Sequence, residues 1–344
     1  MRRAKPSRLR RRFTGYPCHW EGFFGVSTPN TLGKVRMSAQ PRIVAPWRLR
    51  TRTLELGRRT LVMGVVNITP DSFSDGGKYL HPQAAVAHAL ALVDEGAHLL
   101  DLGAESTRPG SQVVGHPRNL VPAVSSDEEQ ARLLPVLEGI RKACPDIPIS
   151  VDTYKAATAR AALSAGAEIV NDVSGFLWDP QLAKVCAQAQ CGVVLMHTRG
   201  RPDEWRSQPI LEPDTLLATV RSGLQASLER ANEAGIVAES IVLDPGYGFG
   251  KRFGENTSLL ARQAELLTLS RPLLAGLSRK SFLGHLLEPL HEGNIATVAA
   301  RENAGLAALV VAILHGASVV RVHTVRPAVE AALITDAILD QQNE

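Results

Sequence analysis

A cluster of polar side chains follows a short apolar run in the last third of the chain. The stretch RPLLAGLSRKSFLGHL, residues 271–286, places Ser278, Arg279, Lys280 and Ser281 directly after the apolar residues. A solvated turn explains one charge, but two cations and two hydroxyls together offer donors for an anion or a carbonyl oxygen. The cluster therefore predicts part of a binding site, provided that other polar residues converge on it.

Polar residues also follow other apolar runs of the chain. They are Asn67, Asp101 with Glu105 just beyond, Asp152, Asn171 with Asp172, Met196 with His197, Asp244, and Arg321 with His323. A single buried Asp or Asn is more often a structural hydrogen-bonding group than a catalyst. Eight coincident placements at the ends of predicted strands indicate a site.

Eight apolar runs alternate with segments of helical period and supply the elements that must position these residues. The runs are LVMGVV (61–66), HLLDLG (98–103), IPISVD (147–152), AEIVND (167–172), GVVLMH (192–197), SIVLDP (240–245), PLLAGL (272–277) and SVVRVH (318–323). Runs that are apolar on both faces and separated by helices are typical of parallel sheets. Eight units in this length predict one α/β domain, a single (β/α)8 TIM barrel, whose strand ends converge at one mouth.

Glycines near the helix ends support this alternation. The phrases EGAHLLD, AGAEIVN and HGASVVR, and more weakly AQCGVVL, each precede a predicted strand. Glycine after a helix adopts the left-handed conformation that stops it. The repeated phrase predicts helix ends that turn the chain back toward the sheet.

The polar strand ends fall into two chemical groups. Donors and one amide end the first, seventh and eighth strands, which adjoin when the barrel closes: Asn67, Lys280, Arg321 and His323. This group predicts an anion pocket on the side where such barrels commonly bind phosphate. Asp152, Asn171 and Asp244 offer acceptors and an amide, which suit a planar heterocycle with adjacent N–H groups.

Seven segments resemble one known family. They are MGVVNITPDSFSDGG (63–77), DLGAESTRPGS (101–111), SVDTYKAATARAALSAGAEIVNDVSG (150–175), VLMHTRG (194–200), LDPGYGFGK (243–251), GLSRKSF (276–282) and VVRVHTV (319–325). In this order they resemble the successive signatures of the dihydropteroate synthases, pterin-binding TIM barrels. The resemblance runs from about residue 60 to residue 330.

The resemblance implies a transferase that condenses 6-hydroxymethyl-7,8-dihydropterin diphosphate with 4-aminobenzoate, giving 7,8-dihydropteroate and pyrophosphate in folate biosynthesis. It implies Mg²⁺ as cofactor, bound through Asn67, and a site that sulfonamides target. The implied catalytic residues are Asp152, Lys280 and Asn67. The implied pterin site is Asp152, Asn171, Met196, Asp244 and Lys280. The implied diphosphate site is Asn67, Arg321 and His323, and the implied 4-aminobenzoate site is Thr107, Arg108, Pro109, Phe249 and Ser281.

Other interpretations of the same residues remain open from sequence. A pterin-binding methyltransferase acting on methyltetrahydrofolate would share the acidic wall but has no diphosphate to hold. A non-catalytic binding protein would not need a complete site. His197 has no partner triad and is expected to be structural, and the glycines of GYGFGK (246–251) predict a tight turn that aims Phe249 at the aminobenzoate ring.

Charge is distributed unevenly along the 344 residues. The net charge is +4, yet residues 1–50 hold 12 basic residues and one acidic residue, Glu21, so the remainder is acidic. We predict a disordered basic N-terminal arm, residues 1–40, and one domain, residues 41–344, that opens with a strand pair. The arm is compatible with a transit peptide, a nucleic-acid-binding tail or wrongly translated upstream sequence. We favour the last, with Met37 as an alternative start.

Cysteine usage and hydropathy indicate the expected setting. None of the four cysteines forms a CxxC pair, and no apolar run reaches the roughly 18–20 residues of a membrane span. We therefore expect reduced thiols and a cytoplasmic enzyme with small-molecule substrates and no nucleic-acid or membrane partner. The apolar helix ARENAGLAALVVAIL (300–314) predicts a homodimer interface.

Overall fold

The predicted strand pair and the eight predicted barrel strands are all present. The computed structural model describes residues 42–68, 82–105 and 124–341. An antiparallel pair comes first, β1 (Ala45–Arg48) and β2 (Thr53–Leu56). The barrel strands are β3 (Leu61–Asn67), β4 (Leu99–Gly103), β5 (Ile149–Asp152), β6 (Ile169–Asp172), β7 (Gly192–Met196), β8 (Ile241–Asp244), β9 (Leu273–Ala275) and β10 (Ala317–Val322). Each pairs in parallel with the next, and β10 closes the ring against β3, which confirms the (β/α)8 fold. The basic arm, residues 1–40, lies outside the described residues.

Helices surround the barrel. They are α1 (Pro82–Asp94), α2 (Ser126–Ala143), α3 (Ala156–Ser164), α4 (Leu182–Ala189), α5 (Pro213–Glu233), α6 (Phe253–Ala261), α7 (Ser281–Leu286), α8 (Glu302–Leu314) and α9 (Val325–Asp340). Neighbours in sequence such as α1 and α2, α2 and α3, or α8 and α9 pack against each other. Within the described ranges, none of these helices combines the length and the apolar composition that crossing a bilayer requires.

Three of the four helix ends predicted from glycine have the expected conformation. Gly96, Gly166 and Gly316 have φ of +102°, +107° and +92°. The fourth expectation is wrong, because Gln190 takes the left-handed position with φ of +50°. Gly192 instead begins β7, where an added Cβ would lie 2.6 Å from a side-chain carbon of Leu49. That glycine is required for close packing and not for the helix end.

The β1–β2 hairpin closes the N-terminal end of the barrel. Trp47, Leu49 and Leu56 are almost fully buried and join one cluster with inward-facing residues at the strand starts, such as Leu61 and Leu99. The Trp47 indole Nε1 donates to the carbonyl of residue 240, at 3.1 Å, just before β8. Burial of such aromatic and aliphatic side chains contributes about 1.5–3 kcal/mol each. The hairpin is therefore an integral part of the core.

Candidate active site

The register of the barrel strands brings the predicted polar residues to one rim. Asp152 lies opposite Asn171 across β5 and β6, and Met196 lies opposite Asp244 across β7 and β8. These residues are the last or near-last positions of their strands, so they share the C-terminal mouth of the barrel. Alternation along each strand turns them inward. Arg321, one position before the end of β10, joins them.

Arg321 bridges two carboxylates at this mouth. Its Nε donates to Asp101 Oδ2 at 2.6 Å, and its Nη2 donates to Asp152 Oδ2 at 2.8 Å. A guanidinium has the planar fork geometry that can bond two acceptors at once. The two carboxylates differ in solvent exposure. Asp101 is fully buried, whereas the side chain of Asp152 is 17% exposed. Arg321 thus connects the partly exposed Asp152 to the buried Asp101.

Asp101 is named above among the polar strand ends, but no role in binding or catalysis was predicted for it. Its Oδ2 also accepts from Asn171 Nδ2 at 3.0 Å, so one buried oxygen orients both Asn171 and Arg321. Asp101 Oδ1 has no hydrogen-bond partner among the described residues. The sequence carried one signal, an acidic residue in the middle of the apolar run LLDLG.

Burial and mutual charge shift the pKa values of Asp152 and Arg321. Burial, opposed by Arg321 and assisted by the nearby carboxylate of Asp101, raises the pKa of Asp152 to about 7. Burial also disfavours the charged form of Arg321, but the two carboxylates overcome this and its pKa is raised. Two acids therefore share one permanent cation, and the more exposed acid, Asp152, can change its protonation near neutral pH.

Asp244 and Lys280 carry opposite charges and shift each other's pKa at this mouth. Asp244 is buried and its Oδ1 accepts the Gly246 backbone N–H at 2.7 Å. Burial raises the pKa of Asp244, although the Gly246 hydrogen bond and the charge of Lys280 lower it. Burial lowers the pKa of Lys280 to about 8, although Asp244 opposes this shift. The pair places an acceptor beside a cation that titrates close to neutral pH.

Aromatic and apolar side chains form the floor beside these charges. Tyr154, Val173 and Met196 make a small buried cluster, against which Trp178 and Phe249 pack. Tyr154 and Trp178 contact edge to face with ring centroids 5.1 Å apart. Such a floor suits a flat, partly aromatic ligand.

The remaining predicted residues lie at the outer part of the mouth. The side chain of His323 contacts Ser278, with Nδ1 and Oγ 3.1 Å apart. Ser281 is exposed and begins α7, and Asn67 is exposed at the end of β3. Three predicted aminobenzoate residues, Thr107, Arg108 and Pro109, lie outside the described residues.

The donors around Asn67 determine whether Mg²⁺ fits. No group of three or more His, Cys, Asp and Glu residues in the described ranges could hold a metal ion. Mg²⁺ commonly keeps several waters and takes one or two protein oxygens together with substrate phosphates. An exposed amide oxygen at Asn67 is compatible with that mode of binding, in which the substrate supplies ligands.

A buried ion cluster that sequence reasoning missed lies behind the end of β4. Lys155 Nζ donates to Glu105 at 2.5 Å and to Glu129 at 3.0 Å, and Thr158 Oγ1 donates to Glu129 at 2.7 Å. Lys155 and Glu129 are nearly inaccessible to solvent. The cluster links β4, α2 and α3 and holds Glu105, the last described residue before the gap at 106–123.

His197 lies outside the charged network, in agreement with its expected structural role. It is buried next to Gly223 of α5, where an added Cβ would lie 2.5 Å from the imidazole Cδ2. Burial lowers the pKa of His197 well below its ordinary value, and the cations of Lys251 and Arg199 act in the same direction. The imidazole is therefore neutral at physiological pH.

Comparison with known proteins identifies the family. The pterin binding enzyme family matches residues 63–323. The dihydropteroate synthase of Bacillus subtilis is 41% identical to this chain over 292 residues, which cover 84% of this chain and 92% of that protein. The chain belongs to the dihydropteroate synthase family. The predicted resemblance is thereby confirmed, and the methyltransferase alternative is not supported.

Solved dihydropteroate synthases share the fold over nearly their whole length. The Yersinia pestis enzyme in complex with a sulfonamide drug has a TM-score of 0.75 and 38% identity, covering 86% of this chain and 99% of its own. The Xanthomonas albilineans enzyme in complex with 7,8-dihydropteroate has a TM-score of 0.71 and 38% identity, covering 85% of this chain and 98% of its own. These dihydropteroate synthases thus bind a product and a drug within the same architecture.

Proposed function

We propose that this chain condenses 6-hydroxymethyl-7,8-dihydropterin diphosphate with 4-aminobenzoate to give 7,8-dihydropteroate and pyrophosphate. The observation that carries the proposal is a wall of acceptors beside the cations Lys280 and Arg321, at the mouth of a barrel of this family: the buried Asn171 and Asp244 and the partly exposed Asp152. A pterin presents ring N–H groups and one carbonyl oxygen, which match acceptors and a cation respectively.

The pterin is proposed to lie flat on Met196 with its edge against this wall. Asp244 and Asp152 accept from ring and amino N–H groups, and Lys280 donates to the ring carbonyl oxygen. Asn171 already donates its amide N–H to Asp101, so its carbonyl oxygen is oriented to accept from the ligand. Burial of these groups strengthens each hydrogen bond, because water competes less.

The reaction breaks the C–O bond between the pterin methylene and the diphosphate and forms a C–N bond to the aminobenzoate amine. Pyrophosphate leaves with the electron pair, positive charge spreads from the methylene into the ring, and the amine loses one proton after attack. Fixed carboxylates near the ring stabilise this developing charge. No nucleophilic side chain is required, because the amine of aminobenzoate attacks directly.

The diphosphate is proposed to lie toward Asn67, Arg321 and His323. Mg²⁺ bound with the substrate would neutralise charge on the leaving group, and the amide oxygen of Asn67 would be its ligand from this chain. Arg321 is oriented by its two carboxylates, and His323 by Ser278. These side chains hold the leaving group at the rim, above the buried pterin wall.

The aminobenzoate is proposed to bind at the outer rim, with its ring against Phe249 and its carboxylate near Ser281. The predicted residues Thr107, Arg108 and Pro109 belong to the same proposed site. Sulfonamides would compete here because they mimic this substrate.

We also propose a homodimer through the face of α8. Ala304, Leu306, Val310, Val311 and Leu314 pack on the core yet remain partly exposed. Burial of this apolar strip against a second copy would remove it from water.

A cytoplasmic setting is proposed because the described cysteines, at positions 144, 186 and 191, are free thiols.

An assay of pyrophosphate release tests the proposed function. We expect release that requires both the pterin diphosphate and 4-aminobenzoate, increases with Mg²⁺, and yields one dihydropteroate per pyrophosphate. Asp244→Asn should lower the rate strongly, whereas Asp340→Asn, at the far end of α9, should not. Pyrophosphate release that proceeds equally without 4-aminobenzoate would refute the proposal.

A further inference from the structure

Lys251 is a buried lysine whose Nζ is held by backbone carbonyls. It is 7% exposed, and its Nζ donates to the carbonyls of Gly246 at 2.7 Å, His197 at 3.2 Å and Phe249 at 3.3 Å. Three acceptors match the three donors of an ammonium group. In the described part of the chain no carboxylate forms an ion pair with it, so its role is not that of a salt bridge.

The three carbonyls belong to two neighbouring strand ends. His197 directly follows β7, whereas Gly246 and Phe249 lie in the turn after β8. The turn approaches β7 so closely that a Cβ on Gly246 would lie 1.9 Å from the His197 carbonyl oxygen. The carbonyls of His197 and Gly246 both accept from Lys251 Nζ across this close approach. Lys251 therefore joins the two strand ends.

The aromatic ring of Phe249 is fixed from the other side by Trp205. The two rings meet edge to face with centroids 5.1 Å apart and an interplanar angle of 85°. Trp205 is buried, and its indole Nε1 donates to Thr198 Oγ1 and to the Gly200 carbonyl, both at 3.1 Å. Its ring therefore cannot follow Phe249 if the turn moves.

The opposite partner of Phe249 is Lys280. The Lys280 ammonium lies 4.0 Å from the centroid of the Phe249 ring, a cation–π geometry. Displacement of the ring would remove this contact, whereas the charge of Asp244 would still act on the Lys280 ammonium. Lys280 thus keeps a second partner when the ring moves, so the effect of moving the ring should fall mainly on the proposed aminobenzoate site.

We infer that Lys251 and Trp205 are positioning residues, which together hold Phe249 in the orientation that binds 4-aminobenzoate. Lys251 fixes the backbone of the turn, and Trp205 fixes the ring. The inference rests on the proposed function, because it assigns Phe249 to the aminobenzoate site. Because Lys251 and Trp205 are almost fully buried, each is inferred to act through Phe249 and not by contact with substrate.

Steady-state kinetics of variants test this inference. Lys251→Met keeps the side-chain length but removes the donors, and Trp205→Leu removes the ring edge without altering the three carbonyls. Each should raise KM for 4-aminobenzoate about tenfold, the order expected for loss of one well-placed aromatic contact. The KM for the pterin diphosphate should change much less. Lys184→Met, at an exposed lysine of α4, is the matched control and should change neither.

A double-variant experiment separates positioning from general destabilisation. If Lys251 acts through Phe249, adding Lys251→Met to Phe249→Ala should leave KM for 4-aminobenzoate close to that of Phe249→Ala alone. Increases that multiply would overturn the inference, as would equal increases in both KM values. Trp205→Leu provides the same comparison if Lys251→Met does not fold.

A structural readout is independent of turnover. In a crystal structure of Lys251→Met, or of Trp205→Leu, the Phe249 ring should leave its position 4.0 Å from Lys280 Nζ. An unchanged ring would overturn the inference even if the enzyme is active. If the native chain forms no dihydropteroate, the proposed function fails, and this structure still tests the positioning of Phe249.

Discussion

Arg321 provides the sharpest test of the charged network, because its two ion pairs predict effects beyond the diphosphate. Arg321→Met keeps most of the side-chain volume and removes both hydrogen bonds, at 2.6 Å to Asp101 and 2.8 Å to Asp152. Removal of one partner from a buried ion pair costs about 3–5 kcal/mol. Since the side chain of Arg321 is 21% exposed, we expect the lower end of that range. The melting temperature should fall by roughly 5–10 °C.

The effect on ligands separates the two roles of Arg321. Without the guanidinium, the pKa of Asp152 rises further above about 7, and Asp152 loses the partner that orients it. A free pterin that lacks the diphosphate should then bind about tenfold more weakly, equal to part of one charge-assisted hydrogen bond. The pterin diphosphate should lose a further factor of about 10–150, because its phosphate contact is removed as well.

Calorimetry with both ligands measures these two losses. Arg279→Met is the matched control, because Arg279 is an exposed arginine at the same mouth. In the described ranges it makes one long ion pair, at 3.9 Å, with Glu302. This variant should leave the affinity for free pterin unchanged. If Arg321→Met also leaves that affinity unchanged, the ion pair with Asp152 does not support the pterin site and the reasoning is refuted.

Three further predictions concern pH, stability and the N-terminus. As the pH increases, the kcat/KM for the pterin diphosphate should rise when Asp152 ionises near its pKa of about 7 and fall when Lys280 deprotonates near its pKa of about 8. A flat profile from pH 6 to about 9 would contradict these roles. Lys155→Met leaves the carboxylates of Glu105 and Glu129 buried without their cation, so it should lower the free energy of unfolding by about 3–5 kcal/mol in denaturant titrations. A loss no larger than that of Lys142→Met, at an exposed lysine, would be inconsistent with the cluster. A chain that begins at Met37 should melt and turn over like the full chain, and loss of most activity on this truncation would show that the preceding residues are needed.

The barrel could be predicted because its signals are local. Each strand is a short apolar run with a polar end, and each helix has its own period, so eight strands emerged with small shifts at their boundaries. Parallel pairing then placed Asp152, Asn171 and Asp244 at one rim without any knowledge of contacts. The helix end at Gln190 was missed because a left-handed residue need not be glycine when the backbone demands that conformation.

The supporting residues of the site could not be predicted in the same way. Asp101 lies within a strand, and its value depends on Arg321, which is 220 residues away in the chain. Within the described part of the chain, Lys251 Nζ donates to three backbone carbonyls, and backbone groups are the same at every residue, so the sequence gives no sign of these bonds. Lys155 pairs with Glu105, just after β4, and with Glu129 of α2, which are 24 residues apart in the chain. Sequence reveals which groups face a ligand more readily than which groups hold them.

The hairpin at the base of the barrel has a consequence for the order of events. Because Trp47, Leu49 and Leu56 fill the N-terminal end, the C-terminal mouth is the route by which ligands reach the buried wall. Asp244 and Asn171 lie deep in that mouth, whereas Ser281 lies at its exposed edge. A molecule bound near Ser281 would obstruct the path to the site at Asp244 and Asn171. If the two substrates bind as proposed, the pterin must enter before the aminobenzoate, because both pass through this mouth.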